Sequence, residues 1–120
     1  MKKLKVLFYG LTHEHALGKL TTLGNMEDVY EIVAVVDDRE TATRPYFADH
    51  PAAPGDLRTV SADEALALDG IDLVFIETTN ADLMKYAEIF AEKGIPMHCD
   101  KPCGEDFETY RRIVEICRRK

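Results

Sequence analysis

Apolar and polar residues follow one another in short blocks along this chain, each block about the length of one secondary-structure element. Lys5-Val6-Leu7-Phe8-Tyr9 is a compact apolar run that stops at Gly10, the pattern of a strand buried on both faces. A helical stretch is predicted from about His13 to Leu23, with Leu17 and Leu20 three apart and Gly24-Asn25 closing it. The run Tyr30 to Val36 is rich in β-branched residues and ends at Asp37-Asp38, which predicts a second strand.

Residues 39–56 break this rhythm with Pro45, Pro51, Pro54 and Gly55, so any helix at 41–48 is expected to be short. A weak strand is predicted at Arg58-Thr59-Val60. Ser61 and Glu64 then have the spacing of a capping box, in which each side chain satisfies a backbone donor of the first helical turn. Asp72 to Ile76 reads as a strand. Asn80 is placed to cap the next helix, whose apolar stripe is Leu83, Ala87, Phe90 and Ala91. Gly94 should stop that helix, and Ile95 to Cys99 should form a strand with Pro96 confined to its start. A last helix is predicted from about Asp106, with Tyr110, Ile113, Val114 and Cys117 on one face and Arg118, Arg119 and Lys120 at its end, where cations suit the helix dipole. Strands alternating with helices of this length imply parallel βαβ units with right-handed crossovers. The expected fold is therefore α/β, a doubly wound parallel sheet of the Rossmann, dinucleotide-binding type.

Length and charge narrow the possibilities. With 120 residues there is material for one core. A net charge of −7 offers no basic surface to displace counterions from phosphates, which argues against a nucleic-acid partner. No apolar run approaches the roughly 18 residues of a membrane helix, so no membrane association is expected. The basic start Met1-Lys2-Lys3-Leu4-Lys5 leads into an apolar run that ends at Gly10 with no small-residue cleavage site, unlike a signal peptide. Cys99, Cys103 and Cys117 are odd in number and gathered in the last quarter, which suits reduced thiols in the cytoplasm.

The candidate chemistry lies in loops that leave the C-terminal ends of strands, the edge where ligands bind in open parallel sheets. Gly10-Leu11-Thr12-His13-Glu14-His15 stands where a G-x-G-x-x-G turn would. Gly10 supplies the tight turn, Thr12 replaces the glycine that lets backbone approach a pyrophosphate, and His15 replaces the third. Thr12 can still cap the helix and donate its hydroxyl to a phosphate. Gly10, Thr12 and His13 are thus candidate cofactor contacts, although a ligand-free turn accounts for the same residues. Asp37 ends the second strand 22 residues beyond His15, near the spacing of the acid that binds the adenosine ribose. A carboxylate there favours NAD over NADP, whose 2′-phosphate it would repel. Alternatively, Asp37 and Asp38 are turn formers. Thr78-Thr79-Asn80 and Asp100-Lys101-Pro102 each leave a later strand toward the same crevice, and Pro102 holds the residue before it extended, a way to aim an ammonium. His13, Glu14, His15, His98 and Cys99 are possible metal donors, but none has i, i+4 ligand spacing, so no metal site is expected.

The succession of strand, Thr-Thr-Asn, helix, glycine, strand and Asp-Lys-Pro resembles the glucose–fructose oxidoreductase, inositol dehydrogenase and MocA (Gfo/Idh/MocA) family of NAD(P)-dependent sugar and polyol dehydrogenases. The resemblance runs over residues 4–117, as that family's N-terminal domain, and is most specific over 72–104. It implies that Lys101 and Pro102 match a Glu-Lys-Pro triplet beside the nicotinamide, whose lysine reaches the reacting hydroxyl, with Asp100 in place of the glutamate. It likewise implies that Thr78-Thr79-Asn80 matches a Thr-Pro-Asn turn lining the cofactor crevice. Leu83 stands where the family usually has a histidine. The family's second domain, with its open sheet, substrate pocket and catalytic Asp and His, has no counterpart in these residues, and its sixth cofactor-domain strand would begin after Lys120.

Residues 1–120 are therefore expected to form a dinucleotide-binding domain, without the last strand and the C-terminal α/β substrate domain. The expected role is to hold NAD while hydride passes between the nicotinamide and a sugar, polyol or related secondary alcohol, with Lys101 assisting the hydroxyl proton. The exposed edge of such a domain should favour self-association. Two other readings fit the same residues: a nucleotide-responsive binding module without catalysis, and a ligand-free domain serving as an interaction surface.

Overall fold

The computed structural model describes residues 2–11, 16–36, 58–99 and 106–120. The elements in chain order are β1 (Leu4–Tyr9), α1 (Ala16–Asn25), β2 (Tyr30–Val36), β3 (Thr59–Val60), α2 (Ala62–Leu66), β4 (Leu73–Ile76), α3 (Asn80–Glu92), β5 (Met97–Cys99) and α4 (Phe107–Arg119). The strands form one sheet in the order β3-β2-β1-β4-β5, every described pair parallel. This is the doubly wound, Rossmann-type arrangement that the alternation of blocks predicts.

Strand side chains alternate between two apolar layers, which is why the runs are apolar at nearly every position. Leu7, Tyr9, Ala34, Val36, Val74 and Ile76 face one layer, which Ala65 of α2, Leu83, Ala87 and Phe90 of α3, and Ile113 and Ile116 of α4 complete. Val6, Phe8 and Val35 face the other, covered by Ala16, Leu20 and Leu23 of α1. A register shift between Val6 and Leu7 absorbs an extra residue of β2.

Local signals act as their chemistry dictates. The Ser61 hydroxyl accepts from the Glu64 N–H at 3.1 Å, and the Glu64 carboxylate accepts in return from the Ser61 N–H at 3.4 Å. Gly94 takes φ +73° beyond α3, a conformation that side-chain-bearing residues rarely adopt. Pro96, which has no N–H, contributes its carbonyl as acceptor for Val74 N–H at 3.0 Å, and β5 proper begins at Met97. Asp106 caps α4, and the hydrogen bond from the Thr109 hydroxyl holds its carboxyl below the ordinary value.

Two expectations need correction. Thr79, not Asn80, caps α3: Thr79 is extended and its hydroxyl accepts from the Asp82 N–H at 3.3 Å, while Asn80 is already the first helical residue. On α4 the buried residues are Ile113 and Ile116, whereas Tyr110 and Cys117 are exposed. The helix meets the core along a narrow stripe, and Arg112 on its flank pairs with Glu88 of α3 at 2.6 Å.

The corrected face of α4 can be tested by denaturation. Ile113→Ala should cost about 2–5 kcal/mol, as buried aliphatic truncations do. Tyr110→Ala should stay within about 0.5 kcal/mol, as exposed sites do. Comparable losses in urea melts would return Tyr110 to the core.

Candidate functional site

The strand order reverses between β1 and β4: the chain proceeds outward from β1 through β2 to β3, then returns to lay β4 and β5 on the other side. In open α/β sheets the crevice at such a switch point, beyond the strands' C-terminal ends, is the ligand site.

Three strand ends are tied together there. Gly10 N–H donates to Val36 O at 2.9 Å, and Glu77 N–H donates to Tyr9 O at 2.8 Å. Gly10 has φ +102°, and a Cβ built on it would lie 2.9 Å from Glu77 C, Thr78 N and Thr78 Cγ2. Only glycine allows β1 to close this tightly on the end of β4. Leu11 turns inward and is buried among the residues beneath α1.

The turn after β4 is equally constrained. Thr78 is fully buried, and its hydroxyl donates to Thr79 O at 3.2 Å. Thr79 is exposed, and besides capping α3 its hydroxyl donates to the Asp82 carboxylate at 3.2 Å. The structure therefore brings Gly10, Thr78, Thr79 and the backbone of Asn80 to one edge. The sequence expectations for Thr12, His13, Asp37, Asp100, Lys101 and Pro102 fall outside the described residues. Those segments follow directly on Leu11, on the end of β2 at Val36, and on the end of β5 at Cys99.

Lys19 and Glu77 were not singled out in the sequence, and His98 was named there only as a possible metal donor. Glu77, just past β4, is fully buried, and its Oε1 lies 3.0 Å from Lys19 Nζ on α1. The same Nζ lies 2.8 Å from His98 Nε2 on β5. An ammonium can only donate, so Nε2 accepts and the ring proton of His98 sits on Nδ1. The readable signal was a charge closing the apolar run Leu73-Val74-Phe75-Ile76 in phase with Phe75. Beside this cluster lies a groove of about 680 Å³, bordered by Leu23, Met26, Tyr30, Phe75 and His98.

Among the described residues no three His, Cys, Asp or Glu side chains converge as a metal site. Nor is any helix among them long and apolar enough to cross a membrane.

The sheet order, the glycine closure and the crevice above it define a nucleotide-binding domain of the Rossmann class. More particularly, residues 5–120 match the Gfo/Idh/MocA oxidoreductase family, NAD-binding Rossmann fold, and the chain belongs to that family. Among curated proteins none matches by sequence. Among solved structures, the chain is similar to the WlbA dehydrogenase from Bordetella pertussis in complex with NADH and UDP-GlcNAcA, at 21% identity and a TM-score of 0.79. That match covers 98% of this chain and 34% of the other. It is similar to KijD10, a 3-ketoreductase from Actinomadura kijaniata in complex with TDP-benzene and NADP, at 15% identity and TM-score 0.77, over 98% and 36%. It is also similar to UDP-N-acetylglucosamine 3-dehydrogenase GnnA from Acidithiobacillus ferrooxidans, at 18% identity and TM-score 0.75, over 99% and 36%. At these identities the likeness is one of fold, and the chain spans about a third of the length of these structures.

The glycine closure predicts a contrast between two Gly→Ala changes. Gly10→Ala should destabilise the chain by more than about 1 kcal/mol, since the new Cβ meets backbone at positive φ. Gly18→Ala, in the middle of α1 with nothing within 4 Å of a built Cβ, should stabilise it by about 0.5–1 kcal/mol. Urea denaturation of both variants checks the sign of each.

Proposed function

We propose that this chain is the cofactor-binding domain of an NAD-dependent dehydrogenase that acts on a sugar, polyol or related secondary alcohol. The observation that carries the reading is the approach of Gly10 to Glu77 and Thr78, a closure in which no side chain fits, at the point where the strand order reverses. The cradle suits a dinucleotide: backbone and small hydroxyl groups line the crevice, and the helices α1 and α3 follow directly on its loops, so their N–H ends face the anion-binding edge.

A bound nicotinamide would supply the hydride acceptor or donor, and the protein's part is to hold and orient. Thr78, Thr79 and Asn80 would line the crevice beyond β4, and Gly10, Thr12 and His13 the turn beyond β1. Asp37, directly after β2, would accept hydrogen bonds from the adenosine ribose and so prefer NAD. Asp100, Lys101 and Pro102, directly after β5, would face the substrate side, with Lys101 assisting the proton of the reacting hydroxyl. The sugar-nucleotide and ketosugar chemistry in the names of similar structures supports the substrate class. The far wall of the substrate pocket would come from outside these 120 residues.

Calorimetric titration with NAD(H) and NADP(H) tests the cofactor assignment. Tighter binding of NAD(H) is expected, and equal affinities, or none for either at millimolar concentration, would overturn the role given to Asp37.

Lys101 is tested in the complete enzyme. Positioned proton transfer is typically worth about 10²–10⁴-fold in rate, so Lys101→Ala should lower turnover within that range and leave NAD affinity nearly unchanged. Steady-state NADH production over a panel of sugars and polyols reads both, and unchanged turnover would return Lys101 to the ordinary surface.

A further inference from the structure

Lys19, Glu77 and His98 come from three elements and meet beside the switch point. Their placement matters because of how α1 is held. The apolar side of α1 packs through Leu20 and Leu23 on Val6, Phe8 and Val35, with Leu73 and Phe75 of β4 at the margin of the same layer. Beyond that layer lies the groove bordered by Tyr30, Phe75 and His98. The Lys19 Nζ reaches Glu77 Oε1 at 3.0 Å and His98 Nε2 at 2.8 Å, while the side chain stays 26% exposed. Packing thus secures α1 over β1, β2 and the margin of β4, and the polar contact extends that grip to Glu77 and to His98 on β5.

The carboxylate end of this contact belongs to the residue that closes on the glycine turn. Glu77 N–H donates to Tyr9 O, and the Glu77 carbonyl carbon is one of the atoms that a Gly10 Cβ would strike. A shift of α1 at Lys19 therefore acts on the backbone that forms the crevice floor.

We propose that Lys19 and Glu77, with His98, are positioning residues for the dinucleotide: a brace that fixes the start of α1 against the ends of β4 and β5 and so sets the opening of the crevice. The inference rests on the cofactor-binding reading and assigns to it residues that do not themselves touch the reacting atoms. Removing one partner of a buried ion pair strands a charge, whereas removing both is often close to neutral. Stability and positioning can therefore be separated.

The test titrates NADH, with NADPH in parallel, by fluorescence into the full wild-type chain, Lys19→Met, Lys19→Arg and the double variant Lys19→Met/Glu77→Gln, with thermal melts of each cofactor-free protein. Lys19→Met should melt earlier and bind about tenfold more weakly or worse, a loss of the size of one broken charge-assisted contact. Lys19→Arg, which keeps the cation, should restore most of both. The double variant removes both charges of the pair, so it should regain the melting temperature without regaining affinity, and it remains informative if Lys19→Met does not fold. A double variant that regains affinity together with stability, or regains neither, overturns the inference, as does Lys19→Met binding like wild type. Failure of the wild-type chain to bind either dinucleotide overturns the cofactor reading and this inference with it.

Discussion

The close contact between the end of β1 and the end of β4 is the constraint on which the rest of this domain depends. Tyr9 O accepts from Glu77 N–H, and the next residue must be a glycine because any Cβ would lie 2.9 Å from the backbone of Glu77 and Thr78. Gly10 N–H also closes β1 on Val36 at the end of β2. Three strands thus finish at one level, and the loops that leave them are launched from fixed points. The crevice follows from that levelling: the chain turns outward in opposite directions on either side of the β1–β4 seam, leaving room above it.

Burial distributes rigidity unevenly around this seam. The layer beneath α2, α3 and α4 is continuous from Val60 to Ile116 and includes the ring contact of Tyr9 with Phe90 at 5.5 Å. The layer beneath α1 is smaller and stops short of β5, where His98 is exposed against Phe75. At the margin of that layer Lys19 adds a polar contact that ties α1 to Glu77 and to His98 of β5. A fully buried carboxylate is a costly way to hold it, because desolvation offsets most of the Coulomb attraction. Its presence at the seam, and not in a distant part of the core, is therefore better explained by geometry than by stability.

Much of this architecture was legible in the residues. The β-branched run at Tyr30–Val36 and the stripe Leu83, Ala87, Phe90 and Ala91 carry unambiguous periods, and both elements occur as the periods imply. Gly10 was legible as a turn, although its reason, an abutting peptide from 67 residues later in the chain, is a tertiary fact. Elsewhere local choices were close. Thr79 and Asn80 are both capping residues, and the balance falls to Thr79 because Asp82, three residues on, offers both an N–H and a carboxylate to its hydroxyl. On α4 the expected face included Ile113, but the core takes Ile116 with it and leaves Tyr110 and Cys117 exposed. Glu77 was passed over because a single charge after an apolar strand reads as a strand end. Only the fold shows Lys19, 58 residues earlier, waiting opposite.

The same sheet serves proteins crystallised with NADH and with NADP, and the architecture explains why one fold tolerates both. The glycine closure and the level strand ends are made by backbone, with Gly10 against Glu77 and Thr78 and hydrogen-bonded to Val36, and they carry no side-chain charge. The distinction between the two cofactors is a phosphate on the adenosine ribose, a difference of charge at one point. In the proposed reading that point is assigned to Asp37, next in sequence to Val36, whose carbonyl accepts from Gly10 N–H. In that reading the preference would belong to one side chain, while the closure is made by Gly10, Glu77 and Thr78. A change at Gly10, by contrast, places a Cβ against the backbone of Glu77 and Thr78 and disturbs the seam itself.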